Sequence, residues 1–232
     1  MIHIAEIFYS LQGEGILVGM PSVFVRTSGC NLRCTWCDTP YTSWKPEFES
    51  MEIEAIVRNI DAYPTRYCVL TGGEPMIVPG VKALASTLRD AGRHITIETN
   101  GTVPPDGIAA DLASLSPKLS NASPDPGTFP REARLHAPEH RLQPAVVDAW
   151  MRAYPYQLKF VIAGEDDIPE MQGFLDALAQ PVEPGRVLLM PEGVDADALH
   201  DRRETLVELC RRYGYRYCPR LHIELFGNTR GT

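Results

Sequence analysis

The chain has 232 residues, 44% hydrophobic and 22% charged, a composition that supports a sizeable globular core and excludes collagen, coiled coil and wholesale disorder. With 22 Lys and Arg against 30 Asp and Glu, the net charge of −8 repels polyanions, so broad electrostatic binding to nucleic acid or to an anionic membrane is not expected. Six cysteines are too few for a disulfide scaffold but enough for one metal or cluster site.

The opening run MIHIAEIFYSLQGEG lacks the basic and long apolar regions of a signal peptide. No stretch approaches the ~18 uninterrupted apolar residues of a membrane span. The expectation is a cytoplasmic protein with reduced cysteines. Ile2–Tyr9 reads as a leading extended segment. Tyr9-Ser10-Leu11-Gln12-Gly13-Glu14-Gly15 reads as a polar, glycine-rich turn. Ser22–Thr27 is the next strand, and it carries Arg26 in an apolar run. A buried arginine must meet an anion, by default an internal Asp or Glu.

Directly after this strand comes GCNLRCTWCD, with Cys30, Cys34 and Cys37 spaced C-x3-C-x2-C. Three thiols then share a short loop at the C-terminal edge of a parallel sheet, where α/β active sites form. The spacing is too tight for a disulfide network. Three cysteines on a four-iron cluster would leave one iron open to a small chelating molecule. The alternative is a zinc site completed by a histidine or a distant cysteine. Asp38-Thr39 by itself reads as a helix cap or turn.

Four later segments place apolar residues at i, i+3, i+4 and i+7 and predict helices: Ile53/Ile56/Val57/Ile60, Val81/Leu84/Ala85/Leu88, Met171/Phe174/Leu175/Leu178 and Leu206/Leu209/Cys210/Tyr213. Ser50 is the expected N-cap of the first, and Gly92 and Gly214 are expected stops. A weaker helix is expected near Ala145 to Ala153. Between the helices, Tyr67–Leu70, Ile95–Thr99, Leu112–Leu115, Gln157–Ile162 and Val187–Met190 read as strands. Alternating strands and helices imply βαβ units and a parallel sheet. Some six such strands fall short of the ~250 residues typical of a closed eightfold barrel. The expected fold is therefore α/β, a partial, open (β/α)6-type barrel with a leading extended segment, built as a single domain over 1–232. Pro117 to Pro144 holds six prolines and little periodicity, and reads as an irregular connection. Cys68 and Cys210 read as buried packing residues; Cys218, before Pro219, is expected in an exposed turn. Two strand ends stand out, Thr71-Gly72-Gly73-Glu74-Pro75 and Ser116-Pro117-Lys118. Either alone could be an ordinary turn.

The cysteine loop, with the aromatic Trp36 before its last cysteine, resembles the signature of the radical S-adenosylmethionine (SAM) superfamily. The TGGEP run then matches the glycine motif that holds the amino group of SAM. This resemblance implies a radical SAM barrel with a [4Fe–4S] cluster on Cys30, Cys34 and Cys37. It implies that SAM chelates the open iron, that one electron breaks its C5′–S bond, and that a 5′-deoxyadenosyl radical takes a hydrogen atom from the substrate.

In this order along nearly the whole chain, SLQGEG, FVRTSGCNLRCTWCDT, TGGEP, ETNGT, SPK and RLHIELFGNTRG resemble the 7-carboxy-7-deazaguanine synthase family. The resemblance implies a lyase that converts 6-carboxy-5,6,7,8-tetrahydropterin to 7-carboxy-7-deazaguanine and ammonia in 7-deazapurine and queuosine biosynthesis. SAM is recycled and Mg²⁺ is required. Carried over by position, Gln12, Gly13, Glu14, Arg26, Thr71 and His222 hold the pterin. Glu14 suits the double-donor edge made by the 2-amino and ring N–H groups, and Arg26 suits the carboxylate. Trp36, Cys37, Asp38, Gly73, Ser116, Pro117 and Lys118 line SAM, and Thr39 ligates Mg²⁺. No residue stands out as the acid for ammonia loss; His222 is a candidate, with a positioning hydrogen bond as its plainer role. An electron donor such as flavodoxin and a homodimer are implied, with no nucleic acid or membrane partner. The short tail after His222, with Arg230, could fold back over the site. Two other readings stay open, a glycyl-radical activating enzyme and a zinc-stabilised interaction module.

Overall fold

The computed structural model describes residues 1–232. Strands β1 (Ile2–Leu11) and β2 (Pro21–Thr27) pair antiparallel, and β3 (Glu49–Met51) lies antiparallel on the other side of β1. From β2 onward the pairing is parallel, through β4 (Tyr67–Gly72), β5 (His94–Thr99), β6 (Leu112–Leu115), β7 (Tyr156–Ile162), β8 (Val187–Pro191) and β9 (Arg216–Tyr217). The sheet order is β3-β1-β2-β4-β5-β6-β7-β8-β9, with β3 and β9 at its outer edges. The sheet does not close, as expected of a partial barrel.

The helices follow in chain order. They are α1 (Pro40–Ser43), α2 (Ile53–Asp61), α3 (Val81–Asp90), α4 (Pro130–Leu135), α5 (Pro138–Arg141), α6 (Pro144–Ala153), α7 (Ile168–Asp176), α8 (Ala196–Tyr213) and α9 (Leu221–Phe226). The longer ones press apolar stripes onto one face of the sheet. In α3 the buried residues are Val81, Leu84, Ala85 and Leu88. They join Val23, Val25, Cys68, Leu70, Ile95, Ile97, Leu158, Phe160, Val187 and Leu189 in one core. Successive strand residues face opposite ways, so the intervening Phe24, Arg26, Thr71, Glu98, Lys159 and Met190 are turned to the other face, where they line a cavity. That alternation separates the structural face of the sheet from its chemical face.

Four sequence expectations are corrected. Ser50 is not a helix cap; it pairs with His3 in β3, and Glu52 occupies the N-cap of α2. The proline-rich connection is not irregular throughout. It contains a 3-10 turn at Ser120–Ala122 and the helices α4 and α5, and Pro144 opens α6. Pro130, Pro138 and Pro144 stand at the first helical positions, where a missing N–H costs nothing and φ is already suitable. The segment is anchored by buried Arg141, which donates to Lys118 O at 2.9 Å and His136 O at 3.0 Å and pairs with Glu170 at 2.5 Å. Two short strands, β3 and β9, were not expected. Finally, Cys218 is not exposed: it is 1% accessible, and its Sγ accepts from the Gly15 N–H at 3.1 Å.

Candidate active site

A cavity of about 450 Å³ lies at the C-terminal ends of the parallel strands. The loop after β2 brings Cys30, Cys34 and Cys37 to its wall. This loop is held by its surroundings: Trp44 Nε1 donates to Cys34 O at 2.9 Å, Arg33 N to His136 Nε2 at 2.8 Å, and Thr35 N to Ala122 O at 2.8 Å. The end of β4 packs directly against it. A Cβ added at Gly73 would sit 2.4 Å from Gly29 O and 2.7 Å from Cys30 Cβ, so glycine is required there by the cysteine loop itself. Glu74 is buried, and burial raises its carboxyl above the ordinary range, against hydrogen bonds that favour the charged form. It accepts from Asn100 N at 2.7 Å, Thr99 Oγ1 at 2.8 Å and Met76 N at 3.0 Å, which locks the turn after β4 to the end of β5.

The cavity also has a polar wall. Glu98, on β5, accepts from Gln12 Nε2 at 3.2 Å and Thr71 Oγ1 at 3.0 Å. Glu14 sits between two cations. Lys159 Nζ pairs with its Oε2, and Arg220 Nε donates to its Oε1 at 3.2 Å. Burial by itself would raise the Glu14 carboxyl; Lys159 and Arg220 outweigh it and hold the group well below the usual carboxylate range. Arg220 also pairs with Asp38 and donates to Gly193 O.

Arg26 meets the default partner of a buried arginine, an internal carboxylate: its Nε donates to Glu6 Oε1 at 2.6 Å. Tyr41 Oη donates to the same oxygen at 2.7 Å. The tail does fold back. Arg230 stacks on the Tyr41 ring at 4.2 Å and pairs with Glu47 at 3.0 Å, and Gly227 to Thr232 line the cavity. His222 packs so closely on Gly13 that a Cβ there would lie 2.0 Å from His222 Nδ1. Burial lowers the His222 pKa below the ordinary imidazole value, so its cationic form is disfavoured. Lys118 Nζ donates to Ser116 Oγ at 2.7 Å and lies over the Trp36 ring at 5.8 Å. Thr39 is the N-cap of α1, and Thr42 Oγ1 donates to Thr39 Oγ1 at 3.3 Å.

The donor set fits an iron–sulfur cluster. All three loop cysteines are unbridged and open onto one cavity. Burial pushes the Cys30 thiol up to about 11 and the Cys34 thiol up to about 12, so thiolates here need the positive charge of bound iron.

Every residue that the motifs nominate lines this one cavity except Pro117, which only links Ser116 to Lys118. Glu6 and Lys159 lie outside every motif, while Glu98 and Arg220 open the ETNGT and RLHIELFGNTRG runs without a role that the motifs alone assign. Strand phase carries a signal for Lys159: it falls between Gln157 and Val161 on the face opposite Leu158 and Phe160.

The radical SAM superfamily profile matches residues 24–152. The 7-carboxy-7-deazaguanine synthase of Rhodopirellula baltica is 46% identical over 99% of this chain and 88% of its own. That of Halobacterium salinarum is 42% identical, covering 98% of this chain and 91% of its own. The chain belongs to the 7-carboxy-7-deazaguanine synthase family. As a radical SAM enzyme of that family, it takes a [4Fe–4S] cluster and SAM as cofactors. The crystal structure of QueE from Escherichia coli shares the fold, with a TM-score of 0.68 at 24% identity over 94% of this chain and 92% of that one. No helix is long and apolar enough to cross a membrane.

Proposed function

We propose that this chain, as one catalytic domain over residues 1–232, converts 6-carboxy-5,6,7,8-tetrahydropterin to 7-carboxy-7-deazaguanine and ammonia in 7-deazapurine and queuosine biosynthesis. One observation carries the reading: the thiol loop and the Gln12/Glu14/Arg26 wall open onto the same cavity. Cys30, Cys34 and Cys37 would hold the cluster, which together with SAM would supply a radical able to take a hydrogen atom from C6. The protein's own part is orientation.

Each Glu14 oxygen spends one lone pair on a cation and keeps another. Those two remaining sites accept from the pterin 2-amino and ring N–H groups. Arg26 uses Nε on Glu6, which leaves its two terminal nitrogens for a bidentate pair with the substrate carboxylate. Gln12, Gly13, Thr71 and His222 close round the ring, and His222 acts as a neutral positioning group rather than as the acid for ammonia loss. Trp36, Cys37, Asp38, Gly73 and Ser116–Lys118 enclose SAM, with Pro117 contributing only backbone. Thr39 gives Mg²⁺ one neutral oxygen ligand. The substrate carboxylate and waters would supply its remaining oxygen ligands, so productive metal binding would require substrate. The enzyme works in the cytoplasm as a homodimer, drawing electrons from a donor such as flavodoxin, with no nucleic acid or membrane partner.

The test is anaerobic turnover of the reconstituted protein with reductant, SAM, Mg²⁺ and carboxytetrahydropterin. Mass analysis should find the deazaguanine acid, with equimolar ammonia. A fully loaded cluster that yields neither would overturn the reading.

A further inference from the structure

Arg220 occupies a singular position in the cavity wall. It caps the start of α9, and its side chain is 6% exposed. Its three nitrogens reach three separate chain segments. Nε donates to Glu14 Oε1 at 3.2 Å in the turn after β1, Nη2 pairs with Asp38 beside the last loop cysteine, and Nη1 donates to Gly193 O after β8. We propose that Arg220 is a positioning residue that ties the Glu14 carboxylate to the cysteine loop through Asp38, and so fixes where the substrate lies relative to the cofactor.

The inference rests on the reading that Glu14 grips the pterin. Lys159 on Oε2 and Arg220 on Oε1 come from different elements, so together they set the plane of the carboxylate. Lys159 alone would fix one oxygen and leave rotation about it. Asp38 follows Cys37 directly, so a displacement of the loop is transmitted to Arg220 and from there to Glu14. A lysine at position 220 would carry the charge but not the planar fork that serves three acceptors at once. The distance between a radical centre and the hydrogen it removes is sensitive: a misplacement of about 1 Å can cost ~100-fold in rate.

The test compares Arg220→Met and Arg220→Lys with the parent, using the full chain. In the cofactor-free protein, the affinity for 6-carboxypterin, the oxidised and unreactive form of the substrate, should fall about tenfold in R220M and less in R220K. In the cluster-loaded enzymes, iron content should match the parent. The ratio of 5′-deoxyadenosine released to deazaguanine acid formed should rise several-fold, because hydrogen transfer becomes misaligned. Three results would overturn the proposal. One is R220K matching the parent within about twofold in both affinity and ratio. Another is turnover falling in proportion to cluster content at an unchanged ratio. The third is both variants losing cluster and fold together, which would make Arg220 only a brace of the structure. Failure of the parent to make the deazaguanine acid would count against the functional reading, not against this one.

Discussion

Glu14→Gln should lower kcat/KM for the pterin by about a hundredfold and reduce stability at neutral pH. The catalytic loss follows from donor and acceptor arithmetic. Glu14 offers acceptors to two substrate N–H groups, and each hydrogen bond to a charged partner contributes roughly 1.5–3 kcal/mol. An amide turns one of those acceptors into a donor facing a donor. The stability loss has a different source. Lys159 and Arg220 each have side chains 6% exposed, and the substitution leaves them facing a neutral group. Removing one partner of a buried ion pair costs about 3–5 kcal/mol, less here because Glu14 is 13% exposed and Arg220 retains Asp38. The folded pKa of Glu14 lies below its unfolded value. Its contribution is therefore present above the unfolded carboxylate pKa of about 4.3, and is lost as pH falls through the folded value. Denaturant unfolding of parent and variant should differ most near neutrality and converge in strong acid. A constant difference at all pH values would place the Glu14 effect outside ionisation.

Cys34→Ser is expected to abolish turnover while leaving the fold in place. A serine oxygen is a poor ligand for iron in a thiolate-built cluster, so iron content and visible absorbance should collapse. The loop itself is held by backbone contacts that do not use the thiol, among them Trp44 Nε1 on Cys34 O and Arg33 N on His136. Unfolding of the metal-free variant should therefore resemble that of the metal-free parent. Cys68→Ser is the matched control. Cys68 is 1% exposed in the helix-facing core, away from the cavity, so the hydroxyl should cost about 1–3 kcal/mol of stability with cluster and turnover retained. Loss of the cluster in C68S but not in C34S would reverse the assignment.

The strands that carry the site were legible because parallel strands covered on both faces read as continuous apolar runs, as in Val187–Pro191. The helices on the outer face were legible from apolar periodicity, and the strand-end motifs located the cysteine loop, the glycine turn and Ser116–Lys118. What escaped depends on contacts that local sequence does not encode. Arg26 finds Glu6 because the two stand opposite each other in the β1–β2 register, and register cannot be read from either strand alone. Lys159 lies on the inward phase of a strand whose core-facing phase dominates the pattern, and Glu98, although it opens ETNGT, takes its role only from Gln12 and Thr71. Arg220 sits in coil before a six-residue helix, where no periodicity exists to orient it. Cys218 looked exposed because a proline follows it, yet its sulfur accepts a hydrogen bond from a glycine some two hundred positions earlier, at Gly15.

One cavity is proposed to hold SAM and a pterin together and to use SAM without consuming it. The most direct measurement is the number of deazaguanine acid molecules formed per SAM lost in anaerobic turnover with limiting SAM. Product in large excess over SAM consumed is the predicted result; SAM consumed one for one with 5′-deoxyadenosine and no ring-contracted product would contradict it.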